Sequence, residues 1–197
     1  MKDIQLNKKS LEEALRSVAC KAAQKTGKKV ANKIGEQHTL NYKSSTTDLV
    51  TEIDKWSEKR ITEYVKKYRP DDEIICEEGT HIEGKSNVRW FIDPIDGTTN
   101  FVYGHPGFSI SIGVEIGNIT EVGAIYAPLL NELFSASPTH GTTCNGKTVE
   151  VSKTKLLSEA LIATGFSYKS DFRAIQAKNL IEILPKIRDI RRVGGAA

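Results

Sequence analysis

Leu11, Leu15, Val18, Ala19, Ala22, Ala23, Val30 and Ile34 recur mostly at three- and four-residue steps. That period puts them on one stripe and predicts an amphipathic helix over residues 10–34. Ser10 followed by Glu13 has capping-box spacing and sets its expected start. Trp56, Ile61, Tyr64, Val65 and Tyr68 predict a second helix over 54–68, stopped by Pro70, whose ring cannot continue a helix. The intervening Lys-Ser-Ser-Thr-Thr-Asp, residues 43–48, reads as a loop or hairpin.

From Glu73 onward the period changes. Ile74-Ile75-Cys76 and Val88-Arg-Trp-Phe-Ile92 are short strand-like runs, each ending in carboxylates. Residues 108–116 alternate large apolar with small residues, turn at Gly117-Asn118 and return as 119–127. Runs at 133–136 and, after an Asn145-Gly146 turn, at 149–151 complete a largely antiparallel sheet. Then come a strand at 161–164, an amphipathic helix at 172–184 and a strand at 187–193, the opening of an α/β unit. The expected architecture is an α+β unit over residues 1–150 followed by the start of a second, α/β unit over 151–197. Two parallel strands and one helix leave most of a sheet's apolar surface uncovered, so the expectation is a second unit that is C-terminally incomplete.

Charge and composition narrow the function. Lys and Arg number 28 against 25 Asp and Glu, a net +3, too even for a protein that holds nucleic acid electrostatically. No apolar run approaches the length of a membrane span, and the first residues have no signal-peptide core. Cys20, Cys76 and Cys144 are odd in number and widely spaced, neither a disulfide framework nor a zinc site. A cytoplasmic protein with neither nucleic-acid nor membrane partners is expected. Asn118-Ile-Thr120 fits a glycosylation acceptor but reads as a turn, and Cys76 reads as a packed thiol. His38, His81, His105 and His140 lack metal-ligand spacing and read as loop residues, and the basic run 25–33 reads as a solvated helix face.

The chemistry gathers in acidic residues near strand ends: Asp54, Glu77-Glu78, Asp93 and Asp96. Asp-Pro and Asp-Gly alone are ordinary turn dipeptides. Here Pro94, with its fixed φ, can hold Asp93 and Asp96 on one side of a turn, with the Ile95 carbonyl facing the same point. Those are hard oxygen ligands, suited to Mg²⁺ rather than zinc. Gly97 permits close backbone approach, and Thr98-Thr99 read as a helix start whose free N–H groups suit phosphate, although Thr98 also fits a plain helix cap. Two carboxylates about 5 Å apart repel by roughly 3 kcal/mol at an effective dielectric near 20, so a phosphate beside them requires a cation. The combination implies metal-assisted hydrolysis of a phosphate monoester.

Asp93-Pro-Ile-Asp-Gly-Thr-Thr-Asn-Phe101, with Glu77-Glu78 and Asp48-Leu-Val-Thr-Glu-Ile-Asp54 upstream, closely resembles the inositol monophosphatase family, and residues 163–197 look most like its bacterial-type members. The resemblance runs from about Lys43 to Ala197. It implies an α-β-α-β-α layered fold, two or three Mg²⁺ ions replaceable by Mn²⁺, inhibition by Li⁺, a small phosphate monoester as partner and a homodimer. By position, it implies that Glu77, Asp93 and the Ile95 carbonyl hold one ion, and that Asp93 and Asp96 hold a second. Gly97 and Thr98 would hold the phosphate by their N–H groups. Glu77 and the Thr98 hydroxyl would orient the attacking water. Asp54 would support Thr98, though it can equally cap the second helix. Lys43 would belong to a mobile loop, or be a solvated charge. Gly194, Gly195 and Ala196 match the segment that contacts sugar hydroxyls. The family's Trp-Asp-x-Ala motif, which supplies a further ligand, has no counterpart in these residues.

Overall fold

The computed structural model describes residues 2–36, 40–42 and 49–197. Helix α1 (Lys2–Ala31) is followed by strands β1 (Leu40–Tyr42) and β2 (Leu49–Thr51), paired antiparallel, and by helix α2 (Glu52–Tyr68). The expected start of α1 at Ser10 is corrected. The helix begins at Lys2 and Ser10 lies exposed within it, because an i,i+3 Ser–Glu pair is as compatible with a helix interior as with its end. Lys8 ties that early part to buried Glu121 at 2.6 Å. The true capping box is Thr51 with Asp54, on α2.

An eight-stranded sheet has the order β10-β9-β8-β7-β6-β5-β3-β4. Its strands are β3 (Glu73–Cys76), β4 (His81–Ile82), β5 (Val88–Asp96), β6 (Ser109–Ile116), β7 (Ile119–Ala127), β8 (Glu132–Ser137), β9 (Gly141–Cys144) and β10 (Lys147–Thr148). All its pairings are antiparallel except β3 with β5. The helix pair covers one face: Leu15, Ala19, Ala22 and Val30 of α1 and Ile61 and Val65 of α2 bury against Trp90, Ile110, Ile112, Val114 and Tyr126. Gly27 lets α1 approach closely, since a Cβ there would stand 2.6 Å from the Tyr126 ring. Gly117 and Asn118 both have positive φ, the geometry of a tight hairpin.

The strand expected at 149–151 is corrected to Lys147–Thr148: the two-residue turn at Asn145-Gly146 forces pairing to resume at once, and Val151 is left exposed. His81 opens β4 rather than lying in a loop and bonds Glu73 at 2.8 Å, while His38 lies outside the described residues. Beyond the sheet, β11 (Leu161–Ala163), α4 (Ser170–Ile183) and β12 (Asp189–Arg191) form the anticipated strand–helix–strand with parallel strands. The helix expected there to be amphipathic has no buried residue. No helix among the described residues is long and apolar enough to cross a membrane.

Candidate metal and phosphate site

Parallel pairing brings the acidic residues together. Cys76 of β3 pairs with Ile92 of β5, and the Glu77 N–H donates to the Ile92 carbonyl at 3.0 Å. Both strands therefore deliver a carboxylate, Glu77 and Asp93, at the same end of the sheet. Strand geometry alone would send Asp93 and Asp96 to opposite faces, because side chains three residues apart alternate. Against β6 the register shifts between them: Asp93 faces Ser111 and Asp96 faces Ser109, so Pro94 and Ile95 stand opposite Ile110 alone. Pro94, which cannot donate to a ladder, sits in this bulge, and the extra residue returns Asp96 to the side of Asp93.

Crowding shows in the chemistry of Asp93. Burial first, then the charge and hydrogen bond of Glu77 and the charge of Asp96, push it up to about 8, against the opposing N–H of Ile95 at 3.1 Å. Asp96 is itself engaged by the Ala196 and Ala197 N–H groups at 2.9 and 2.7 Å. A Cβ on Gly195 would lie 2.6 Å from Asp96 Oδ2, so a side chain there would push the Asp96 carboxylate aside. Asn100 holds the tail by donating to the carbonyls of Val193 and Gly107 at 2.7 and 2.9 Å. Among the described residues, no three His, Cys, Asp or Glu are grouped so as to hold a metal ion. Glu77 and Asp93 are adjacent, while Asp96 is turned to the tail. The donors are nonetheless hard carboxylate oxygens, and Asp93 is destabilised as an anion by its neighbours. A divalent cation relieves that condition, so the residues fit one.

Asp54 bonds in two directions. Its Oδ2 accepts from the Thr51 N–H and hydroxyl at 2.8 and 2.6 Å, completing the helix cap, and its Oδ1 accepts from the Thr98 hydroxyl at 3.0 Å. Thr98 is not the cap of its own helix. Gly97, at φ 88°, caps α3 (Thr98–Val102), and the Thr98 hydroxyl is shared between Asp54 and the Ile95 carbonyl, both at 3.0 Å. Gly97, Glu77 and Asp96 line a cleft of about 670 Å³ together with Gly194, Gly195, Ala196 and Arg192. Lys43 lies outside the described residues. Three polar residues of α2 (Ser57, Glu58 and Thr62) and Asn100 also bond to the segments that carry the site, and no local sequence pattern marks them as chemistry. For the three on α2 the signal is polar type at the buried positions of an amphipathic helix.

Residues 11–197 match the inositol monophosphatase family. A Nus factor SuhB of Pasteurella multocida is 40% identical over 184 residues, 92% of this chain and 69% of that protein. The crystal structure of extragenic suppressor protein suhB from Bartonella henselae superposes with a TM-score of 0.88 at 33% identity, over 93% of this chain and 72% of that one. An IMPase of Thermotoga maritima superposes at 0.82 with 36% identity, over 90% and 67%. A mixed sheet flanked by helices, in an α+β layered arrangement, is thus the fold of IMPase-like phosphatases. The chain belongs to the inositol monophosphatase family.

Proposed function

We propose that this chain is a Mg²⁺-dependent phosphomonoesterase acting on myo-inositol monophosphate or a related sugar phosphate by attack of water on phosphorus. The observation that carries the reading is the Glu77–Asp93 pair at the ends of two parallel strands, with Asp93 pushed up to about 8. In this reading Glu77, Asp93, Asp96 and the Ile95 carbonyl hold the ions. Bound there, Mg²⁺ neutralises the ester's charge and acidifies water.

The chain's own groups do the rest. Asp54 takes the Thr98 hydroxyl proton as a hydrogen bond, which leaves the Thr98 oxygen an acceptor able to orient the attacking water with Glu77. Gly97 and Thr98 present N–H groups to the phosphate, and Gly194, Gly195 and Ala196 flank the sugar. Asp96, which accepts from the Ala196 and Ala197 N–H groups, would hold an ion only by giving up those bonds. Residues 1–150 then act as the unit that carries the ions and 151–197 as a second unit beside the cleft. Lys43 belongs to a loop over the site, Mn²⁺ substitutes for Mg²⁺, Li⁺ inhibits, and the protein works as a cytoplasmic homodimer with a small ester as its partner.

Phosphate release across a panel of monoesters with Mg²⁺ tests the reading. Release from inositol phosphates supports it. Release confined to fructose 1,6-bisphosphate or to 3′-phosphoadenosine nucleotides moves the substrate assignment within the family. The relatives bear the name Nus factor, and a phosphatase-like binding module is the other reading. No release from any ester, with no stabilisation by metal, decides for that module.

A further inference from the structure

Helix α2 carries polar side chains on the stripe where an amphipathic helix buries apolar ones. Asp54, Ser57, Glu58 and Thr62 share that stripe with Ile61 and Val65, and all are buried. Each polar group reaches a different piece of the site. Asp54 takes Thr98, the Ser57 hydroxyl donates to the Pro94 carbonyl at 2.9 Å, and Thr62 meets the Cys76 sulfur at 3.7 Å. Glu58, only 4% exposed, accepts the Glu78 N–H at 2.9 Å on one oxygen and the Thr80 N–H at 3.2 Å on the other.

A buried carboxylate is costly unless donors meet its charge, so a purely packing role at position 58 is better served by an apolar side chain. What Glu58 holds is specific. The Glu78 N–H belongs to the peptide unit that leaves Glu77, and the unit that enters Glu77 is held through its N–H by the Ile92 carbonyl. Both peptide planes flanking the Glu77 Cα are therefore fixed, and with them the direction in which its carboxylate leaves the backbone. The turn beyond closes by the Cys76 N–H donating to the Thr80 carbonyl at 2.9 Å, so the second Glu58 bond seats that turn on α2. Ser57 does the equivalent for the bulge between Asp93 and Asp96, at Pro94.

We propose that Glu58 is a positioning residue that aims Glu77 at the divalent cation, which rests on the metal-site reading above. Glu58→Gln is nearly isosteric but sets an amide NH₂ against one of the two N–H donors. Mn²⁺ binding to the full chain, read from the resonance of free Mn²⁺ in titrations, is expected to weaken roughly ten- to hundredfold. The Glu78 and Thr80 amides are expected to lose hydrogen-exchange protection at the same time. Asp72→Asn is the control: Asp72 braces Arg69, Ser86 and Trp90 away from the site, so its loss lowers the unfolding midpoint without moving Mn²⁺ affinity. Equal Mn²⁺ affinity in the wild type and Glu58→Gln overturns the positioning role and leaves the metal site standing. Parallel weakening in Glu58→Gln and Asp72→Asn overturns it in favour of general stability. No Mn²⁺ binding by the wild type overturns the site and the positioning role together. Should Glu58→Gln not fold, the unmutated chain still decides: rapid exchange of its Glu78 and Thr80 amides refutes the role, and slow exchange supports it.

Discussion

The helix-covered sheet and residues 151–197 are both built of regular elements, yet they bury very different amounts of apolar surface. In the first, Leu15, Ile61, Trp90, Ile110 and Val114 are fully enclosed. In the second, Phe172, Ile175 and Ile181 of α4 are 57, 57 and 69% exposed, and Ile187 is the buried hydrophobic among the described residues there. Regular secondary structure therefore does not measure stability; enclosed area does. The difference maps onto the site. Asp54, Glu77, Asp93, Asp96 and Thr98 all stand on the enclosed body, whereas the residues that line the cleft from the other side come from the exposed region and meet the body at Asp96 and Asn100. The groups requiring fixed geometry sit where packing fixes them.

The contrast can be broken or sharpened in several ways, beginning with the largest effect. Trp90→Ala is expected to cost about 3–5 kcal/mol in urea unfolding, because it empties the core and strips Asp72 of the Trp90 indole N–H, whereas Phe172→Ala costs less than about 1 kcal/mol. Similar costs at the two positions break the comparison.

Next is Asp93, whose carboxyl is raised from 3.8 in the open chain to about 8 in the fold. The folded metal-free chain keeps a proton that the unfolded chain releases, so its stability falls as pH rises from about 4 to about 8 and then levels. Asp93→Asn removes that slope. In EDTA its unfolding free energy exceeds the wild type's at pH 8, by up to a few kcal/mol at about 1.4 per pH unit, and matches it near pH 4. The same substitution abolishes stabilisation by Mg²⁺. A wild-type midpoint flat over that pH range contradicts the crowding.

Thr98→Val removes the donor to Asp54 and is expected to cost about 1–3 kcal/mol of stability for the unmet carboxylate. Its phosphate release falls by roughly a hundredfold or more at saturating Mg²⁺. The smallest effect concerns Cys76, whose thiol burial pushes up to about 12. Iodoacetamide at pH 8 should leave it unmodified in the folded protein, as judged by peptide mass, and alkylation at the rate of a free thiol contradicts the burial of β3.

Much of this arrangement is legible in the residues. The run from Asp93 to Phe101 announces a turn that carries two carboxylates, and the turns at Gly117-Asn118 and Asn145-Gly146 mark their hairpins correctly. Other features are carried by nothing local. The period of residues 74–76 and 88–92 identifies strands but not that they run parallel, and only that direction brings Glu77 beside Asp93. Glu58 looks like a solvated charge until α2 is docked, since its partners lie 20 and 22 residues away. The tail amides reach Asp96 across a hundred residues, a contact that no spacing rule contains. Ser10–Glu13 misleads for the opposite reason: the pattern is genuine, but Lys8 has already been recruited by Glu121, which lies far along the chain.

The account turns on Glu77 and Asp93 together holding a divalent cation. Crystals of the full chain equilibrated with Mn²⁺, examined by anomalous diffraction, test this most directly. The account predicts an ion peak bounded by the Glu77 and Asp93 carboxylates, with Asp96 turned from the Ala196 and Ala197 N–H groups toward it. A map at saturating Mn²⁺ with no peak there, and with Asp96 still bound to the tail, contradicts it.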